Sequence, residues 1–564
     1  MFDTYQPLLP GVDVALKDAH ADPGADYGEI FTRRWVVEMI LDLVGYTPDK
    51  DLGGARLIEP SCGTGAFLVP VVERLIESAK RHGRPIDSLG EAVTAFDLLN
   101  ANAERARKAV SGLLTGVGMS VIDAATMASG WIKTGDFLLD ADTVAQADFV
   151  VGNPPYIRLE SVPAATMAAY RARCSTMRGR ADIYVGFFEV GLSILKPGGT
   201  LSFICADRWM RNQYGAALRD LVTSAYAVDT VISMHDVDAF EDDVSAYPAV
   251  VVLRNGSHQR TAVVETDRTF EEATSSNLVS WIKRGRRAKK AAGYDATKVD
   301  RWFEGSDLWP AGSPEALALV AELEARFPPL QDEATGTRVG IGVATGCDDI
   351  FITQDPSLVE EDRLLPLVQA RHLTGGQVEW SQTYLVNPWN GDGLVDLDRY
   401  PTLRDYLDDH ADRLRARHVA QKRPGQWYRT IDRVNLGLLD RPRLLLPDMK
   451  ATAHPVLDEG GHYPHHNLYY VVSDSWDPEL LGGLLLSDVA NLFVGAYCVR
   501  MRGGCYRFQA QYLRRIRVPP LTAIEPAIKR GLAKAFRERD AERATALAAR
   551  AYRVEGRLPG TEGA

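Results

Sequence analysis

Cysteine is scarce in this chain of 564 residues. The six present, Cys62, Cys174, Cys205, Cys347, Cys498 and Cys505, form no Cys-x-x-Cys pair. This excludes a disulfide framework and a zinc ribbon, and it fits the reduced thiols of a cytoplasmic protein. Long apolar runs are missing too: none reaches the roughly 18–20 residues a bilayer requires, so no membrane span is predicted. The first thirty residues carry Asp13, Asp18, Asp22, Asp26 and Glu29 and lack the basic start and apolar stretch of a secretory signal. There is no excess of positive charge, since 64 basic residues stand against 75 acidic ones for a net charge of −11. Affinity for a polyanion must then come from local clusters. No repeat or long low-complexity tract appears. What remains is a globular composition, 46% hydrophobic and 25% charged, long enough for two or three domains.

The most informative residues are Asn153-Pro154-Pro155-Tyr156, at the end of the apolar run Ala147 to Gly152. Asn153 offers a side-chain oxygen and Pro154 a carbonyl, and the prolines stiffen the backbone around both. Two such acceptors suit a planar NH2 group, and Tyr156 adds a ring on which a base can stack. The plainer reading is a proline-stiffened turn after a strand.

Upstream, Leu57 to Phe67 reads as a short strand, a glycine-containing turn with Gly63 and Gly65, and the start of a helix running to about Ala79. The spacing is not Gly-x-Gly-x-x-Gly and no Lys-Ser/Thr follows, which disfavours NAD and ATP. Ala92 to Asp97 is a second strand ending in an acid, where such folds grip ribose hydroxyls. Asp136, in Thr134 to Leu138, is a further acid placed to accept from an exocyclic amine. Taken singly, such acids are usually helix caps or solvated turns.

In this order the segments resemble the gamma class of adenine-N6 DNA methyltransferases of restriction–modification systems. The resemblance covers most of the chain. It implies an α/β fold, a doubly wound, mostly parallel sheet of the class I S-adenosylmethionine-dependent methyltransferase type, followed by a mixed α/β target-recognition domain. Phe31 to Val37 is similar to the first cofactor motif, with Arg33 where a proline is common, and assigns Thr32 to the cofactor. The same resemblance implies Glu59, Ser61, Gly63, Gly65 and Phe67 for the methionine end of S-adenosylmethionine, Asp97 with Leu98 for its ribose, and Asp136, Phe137 and Phe187 for its adenine. Asn153, Pro154, Pro155 and Tyr156 become the catalytic tetrapeptide, Asn153 also bordering the cofactor. Phe240, in Ala239 to Ser245, matches the aromatic residue that packs on an extruded adenine; alone it reads as a core Phe at a strand entrance. The implied partner is double-stranded DNA, bound by a monomer, with a cognate restriction endonuclease encoded separately.

Four segments are expected: a catalytic domain over 1–255, a basic hairpin and linker over 256–330, a recognition domain over 331–523 and a C-terminal helix over 524–564. Two basic clusters with interleaved aromatics are the candidate DNA contacts. One holds Lys283, Arg284, Arg286 and Arg287 beside Trp281; the other holds Arg415, Arg417, Lys422 and Arg423 beside Trp427 and Tyr428. Each alone is more often a solvated face. His454, His462, His465 and His466 invite a metal, but alternation along a strand sets the adjacent pair on opposite faces and no carboxylate lies at ligand spacing, so no metal is expected. Two other functions share the tetrapeptide. One is methylation of RNA or of protein glutamine, and the other is a DNA-binding modification subunit that needs a partner for activity.

Overall fold

The computed structural model describes residues 30–157, 161–241, 247–285, 287–300, 305–501 and 505–559. Its contacts divide the chain into two compact units at Pro314/Glu315.

The first unit is built on one ten-stranded sheet. Its strands are β1 (Leu57–Glu59), β2 (Val93–Asp97), β3 (Ile132–Thr134), β4 (Ala147–Gly152), β5 (Leu195–Ala206), β6 (Ala227–Ser233), β7 (Pro248–Arg254), β8 (Thr261–Thr266), β9 (Lys289–Ala291) and β10 (Tyr294–Val299). They lie in the order β3-β2-β1-β4-β5-β7-β6-β8-β10-β9. β3 through β5 pair in parallel, and β7 inserts antiparallel between β5 and β6. This is the class I S-adenosylmethionine-dependent methyltransferase topology, doubly wound as expected.

Alternation along the strands assigns side chains to two cores. Val151, Val250 and Val252 face one core with the helices Arg34–Val44, Leu68–His82, Asn100–Gly116 and Glu272–Arg284. Val150, Val251 and Leu253 face the other with Tyr184–Ser193 and Ala216–Ala225. Covered on both sides, the central strands read as unbroken apolar runs rather than alternating ones. The strand order reverses between β1 and β4, and a crevice opens there at the carboxyl ends.

The segment after residue 256 carries a basic hairpin, and that hairpin is part of the catalytic sheet rather than a linker beside it. β8 pairs in parallel with β6, β10 returns beside β8, and the hairpin of β9 and β10 closes the sheet edge. The sequence conceals this because basic residues crowd the short edge strand, a common protection of an unpaired edge. The catalytic sheet therefore extends to Val299.

Among its described residues the second unit holds two four-stranded sheets, a three-stranded one and a two-stranded one. In the first, Arg338–Ile341, Leu468–Val472, Arg443–Pro447 and Val456–Asp458 pair antiparallel in that order. The expected single C-terminal helix is two helices, Pro526–Glu538 and Ala541–Tyr552. Arg539 takes a left-handed conformation (φ 57°) and reaches the Pro455 carbonyl at 2.6 Å, while Asp540 caps the second helix. Both helices belong to the second unit rather than to a separate tail. Pro478–Leu485 packs on Pro526–Glu538 through Gly482 and Gly483, where a Cβ would come within 2.6 Å of the Phe536 ring and 2.5 Å of the Leu532 carbonyl oxygen. No single helix among the described residues is long and apolar enough to cross a membrane.

That close approach gives a stability test. Gly483→Ala is expected to force the two helices apart and destabilise the second unit by about 1–3 kcal/mol, as overpacking does. Denaturant unfolding checks it, and an unchanged midpoint would count against this packing.

Candidate functional site

The carboxyl ends of β1, β2 and β4 bring together residues that lie far apart in the chain. Glu59 ends β1, Asp97 ends β2, and Asn153 follows β4. Hydrogen bonds join their loops: Ser61 Oγ donates to the Asn153 carbonyl at 3.0 Å, the Gly63 N–H to Asp97 Oδ2 at 2.8 Å, and the Cys62 N–H to the Phe96 carbonyl at 2.8 Å. Gly63 and Gly65 have φ of +51° and +107°. Their lack of a Cβ serves this backbone, since no atom lies within 3.5 Å of where a Cβ would sit.

One cavity results. Thr32, Glu59, Ser61, Gly63 and Phe67 line one part of it, Asp97 and Leu98 a second, Asp136, Phe137 and Phe187 a third, and Asn153, Pro154 and Pro155 its remaining wall. Gly65 instead borders an adjoining cavity that shares Phe31 and Thr32. Tyr156 and Phe240 line neither. They meet edge-on with ring centroids 6.4 Å apart, and Phe240 is 5% exposed. The segment carrying Phe240 is stitched to the first motif, with Arg33 N–H donating to the Ala239 carbonyl and Glu241 N–H to the Phe31 carbonyl. The rest of its motif, Asp242 to Ser245, lies outside the described residues.

Asn153 has an asymmetric environment. Its Nδ2 donates to the Ile30 carbonyl at 2.9 Å and to Thr32 Oγ1 at 3.2 Å, while its Oδ1 is buried with no hydrogen-bond partner. An unmet buried acceptor is costly and marks a place for an external donor. Thr32 thus orients the amide through a direct hydrogen bond.

Three acids border the cavity, and no Lys, Arg or His is among its described lining residues. Burial, and then the nearby Asp97, push the Glu59 carboxyl well above the usual range, and its Oε2 has no partner. Burial pushes Asp136 up to about 6, against hydrogen bonds from Tyr170 and the Leu138 N–H that lower it. Tyr170 Oη lies 2.6 Å from Asp136 Oδ2, and Leu138 N lies 2.9 Å from Oδ1. Phe137 stacks on Phe187 at 5.6 Å as an aromatic wall. Such a pocket disfavours phosphates and suits a cation joined to a flat ring and a diol, as in S-adenosylmethionine.

Tyr170 and Asn102 join the site without having been expected there. Asn102, in the first turn of the helix Asn100–Gly116 that follows the strand, brings its Nδ2 to Asp97 Oδ1 at 3.4 Å, five residues after the acid, a spacing that offers a faint signal. Tyr170 lies on the helix Ala164–Arg173, 34 residues beyond Asp136, and nothing local marks it.

Among the described residues of the first unit, no member of its basic cluster lines this cavity. Lys283, Arg284 and Arg287 are exposed, and Arg286 lies outside the described residues. The helix Glu272–Arg284 returns antiparallel to β8, so its basic end lies at the amino ends of the strands, where Lys283 also acts electrostatically on Asp49. In the second unit Arg415 stacks over Trp427 at 4.8 Å, and Lys422 and Arg423 are exposed. Arg417 departs from expectation. Its guanidinium donates to the carbonyls of Leu414, Thr345, Trp427 and Arg429 at 2.8–3.1 Å, and it serves as a loop clamp.

The histidines also depart from expectation. His465 and His466 do not point apart: their ring centroids are 4.0 Å from each other, and Asp348 Oδ2 lies 3.1 Å from His465 Nε2. The alternation rule fails because residues 465–467 form a bridge and turn between two strands rather than a strand. His462 pairs with Asp458 at 2.9 Å, and His454 lies against Arg539.

Residues 123–240 match the Eco57I restriction-modification methylase family. The chain is 44% identical over 530 residues to the Type II methyltransferase M.PaeR7I of Pseudomonas aeruginosa, covering 93% of this chain and 91% of the relative. It is 42% identical over 526 residues to the Type II methyltransferase M.XhoI of Xanthomonas vasicola, covering 92% and 95%. Among solved structures it resembles the Type IIL restriction-modification enzyme MmeI, determined in complex with DNA, with a TM-score of 0.58 at 12% identity over 97% of this chain and 75% of that one. With the tetrapeptide, the sheet order and these relatives in agreement, the chain belongs to the Type II methyltransferases of restriction–modification systems.

Proposed function

We propose that the protein transfers a methyl group from S-adenosylmethionine to N6 of an adenine flipped out of a specific duplex DNA sequence. It acts in the cytoplasm as a monomer and protects DNA from a separately encoded restriction endonuclease. The observation that carries this reading is the buried, partnerless Oδ1 of Asn153, a residue of the cavity wall whose amide nitrogen is fixed by two hydrogen bonds. An adenine amine is a poor nucleophile because its lone pair is delocalised into the ring. Acceptance of its hydrogens by Asn153 Oδ1 and the Pro154 carbonyl draws that pair back onto nitrogen and aims it. When bound, S-adenosylmethionine supplies an electrophilic sulfonium methyl. Asp97 would hold its ribose, Asp136 its adenine amine, and the Phe137–Phe187 wall its ring. A base leaving the duplex would exchange stacking on its neighbours for stacking on Tyr156 and Phe240, in place of the edge-on contact those rings make. The exposed cations around Arg415, Lys422 and Arg423 are the proposed backbone contacts of the recognition unit.

Asn153→Ala is expected to lower methylation by about a hundredfold or more, as removal of one preorganised electrostatic contact does, with DNA binding retained. Nucleosides from wild-type product should contain N6-methyladenine; methylcytosine alone, or label confined to RNA or protein, would overturn the assignment.

Cofactor affinity should depend on pH through Asp136. Its carboxylate accepts from the adenine amine more strongly when ionised, so affinity should hold above pH 6 and weaken as pH falls through about 6, by up to tenfold per unit. Calorimetry from pH 7.5 to 5 would read this, and a flat profile in wild type would remove Asp136 from adenine recognition.

Neutralising Lys422 and Arg423 together should lessen the salt dependence of DNA binding, by up to about 0.9 in log–log slope for each phosphate that is no longer neutralised. Arg417→Gln should instead lower the melting temperature of the second unit, because four carbonyls lose their donor. Identical behaviour of the two variants in both assays would contradict the division of roles.

A further inference from the structure

We propose that Asp348, His465 and His466 bind a divalent transition-metal ion of the zinc class. One potential ligand atom from each lies within 4.8 Å of the others. Asp348 Oδ2 and His465 Nε2 are 3.1 Å apart, close to the ~3.3 Å edge of a tetrahedron with bonds of about 2.0–2.1 Å. The His466 ring lies against that of His465, with centroids 4.0 Å apart. Two imidazoles and a carboxylate without a thiolate are a borderline donor set that suits zinc, cobalt or nickel, with water completing the sphere.

The surrounding structure holds these groups in place. His465 bridges to Val343, the His466 N–H donates to the Val343 carbonyl at 3.0 Å, and the Val343 N–H donates to the Pro464 carbonyl at 2.9 Å. Thr345 Oγ1 donates to the other oxygen of Asp348, as groups behind a metal ligand commonly do. Arg417 holds the Thr345 carbonyl, and Asp432 accepts from the Ala344 N–H at 2.9 Å. Gly346 takes φ +78° beside Ile431, where a Cβ would come within 2.8 Å of that side chain. An ion here would tie the Val343–Asp348 loop to the turn at 465–467, fixing two loops next to the Arg417 clamp. The site stands on its own geometry and does not depend on the methylated base.

The test uses the full chain stripped with chelator and titrated with Co2+, followed by Zn2+ in competition. We expect one equivalent of Co2+ with visible d–d absorption, displacement by Zn2+, and a rise in melting temperature on Zn2+ addition. His466 is exposed, so His466→Ala should fold, and it should weaken binding by about tenfold or more; Asp348→Asn should do the same. Absence of stoichiometric uptake, or uptake unchanged in His466→Ala, would overturn the proposal.

Discussion

Two hydrogen bonds decide which atom of Asn153 faces the cavity. An amide presents a donor group and an acceptor of nearly the same shape, and the reverse orientation would offer hydrogens to a group that itself carries hydrogens. The Ile30 carbonyl and Thr32 Oγ1 occupy the nitrogen, and only the oxygen is left. Those partners come from a segment more than 120 residues upstream, held by Arg33 and Glu241 backbone bonds to the Phe240 segment. The polarity of the reactive end therefore depends on assembly of three distant pieces of chain. The tetrapeptide alone does not fix it.

The same economy of partners governs the acids. Asp97 accepts from the Gly63 and Leu99 N–H groups, so the carboxylate proposed to hold the ribose diol also shapes the glycine turn beside it. Asp136 caps its helix through Leu138 and is steadied by Tyr170. Reading these acids as helix caps or as ligand groups is thus not a choice between exclusive roles, because a carboxylate has about four lone-pair sites and can serve architecture and a ligand together. Burial without a cation raises Glu59 and Asp136, and a positively charged ligand would offset that penalty.

What is legible in the sequence follows from physical range. Short motifs that end strands carry their geometry with them, since a parallel α/β sheet delivers every strand terminus to one edge. Glu59, Asp97, Asp136 and Asn153 can be placed together from sequence for that reason. Tyr170 is illegible because its contact depends on how a helix packs. A basic hairpin is expected after residue 256, but its place at the edge of the catalytic sheet is illegible, because a short, basic edge strand masks the strand pattern. His465 and His466 escape the reading because strand alternation does not apply to residues that form a turn.

Charge shows the limit most clearly. In a sequence, Arg415, Arg417, Lys422 and Arg423 are four equal cations. In the fold, Arg417 directs its guanidinium to four carbonyls, Arg415 lies over an indole, and Lys422 and Arg423 remain exposed. An arginine with its donors occupied by backbone contributes little to a counterion-releasing surface, because a phosphate would have to break those bonds to reach it. The −11 net charge is misleading in the opposite direction. Part of the acidic excess, Glu59, Asp97 and Asp136, lines the cavity that would receive a cation and so does not oppose a polyanion at the surface. Neither total charge nor local cation count predicts where a polyanion is met; the partners of each charged group do.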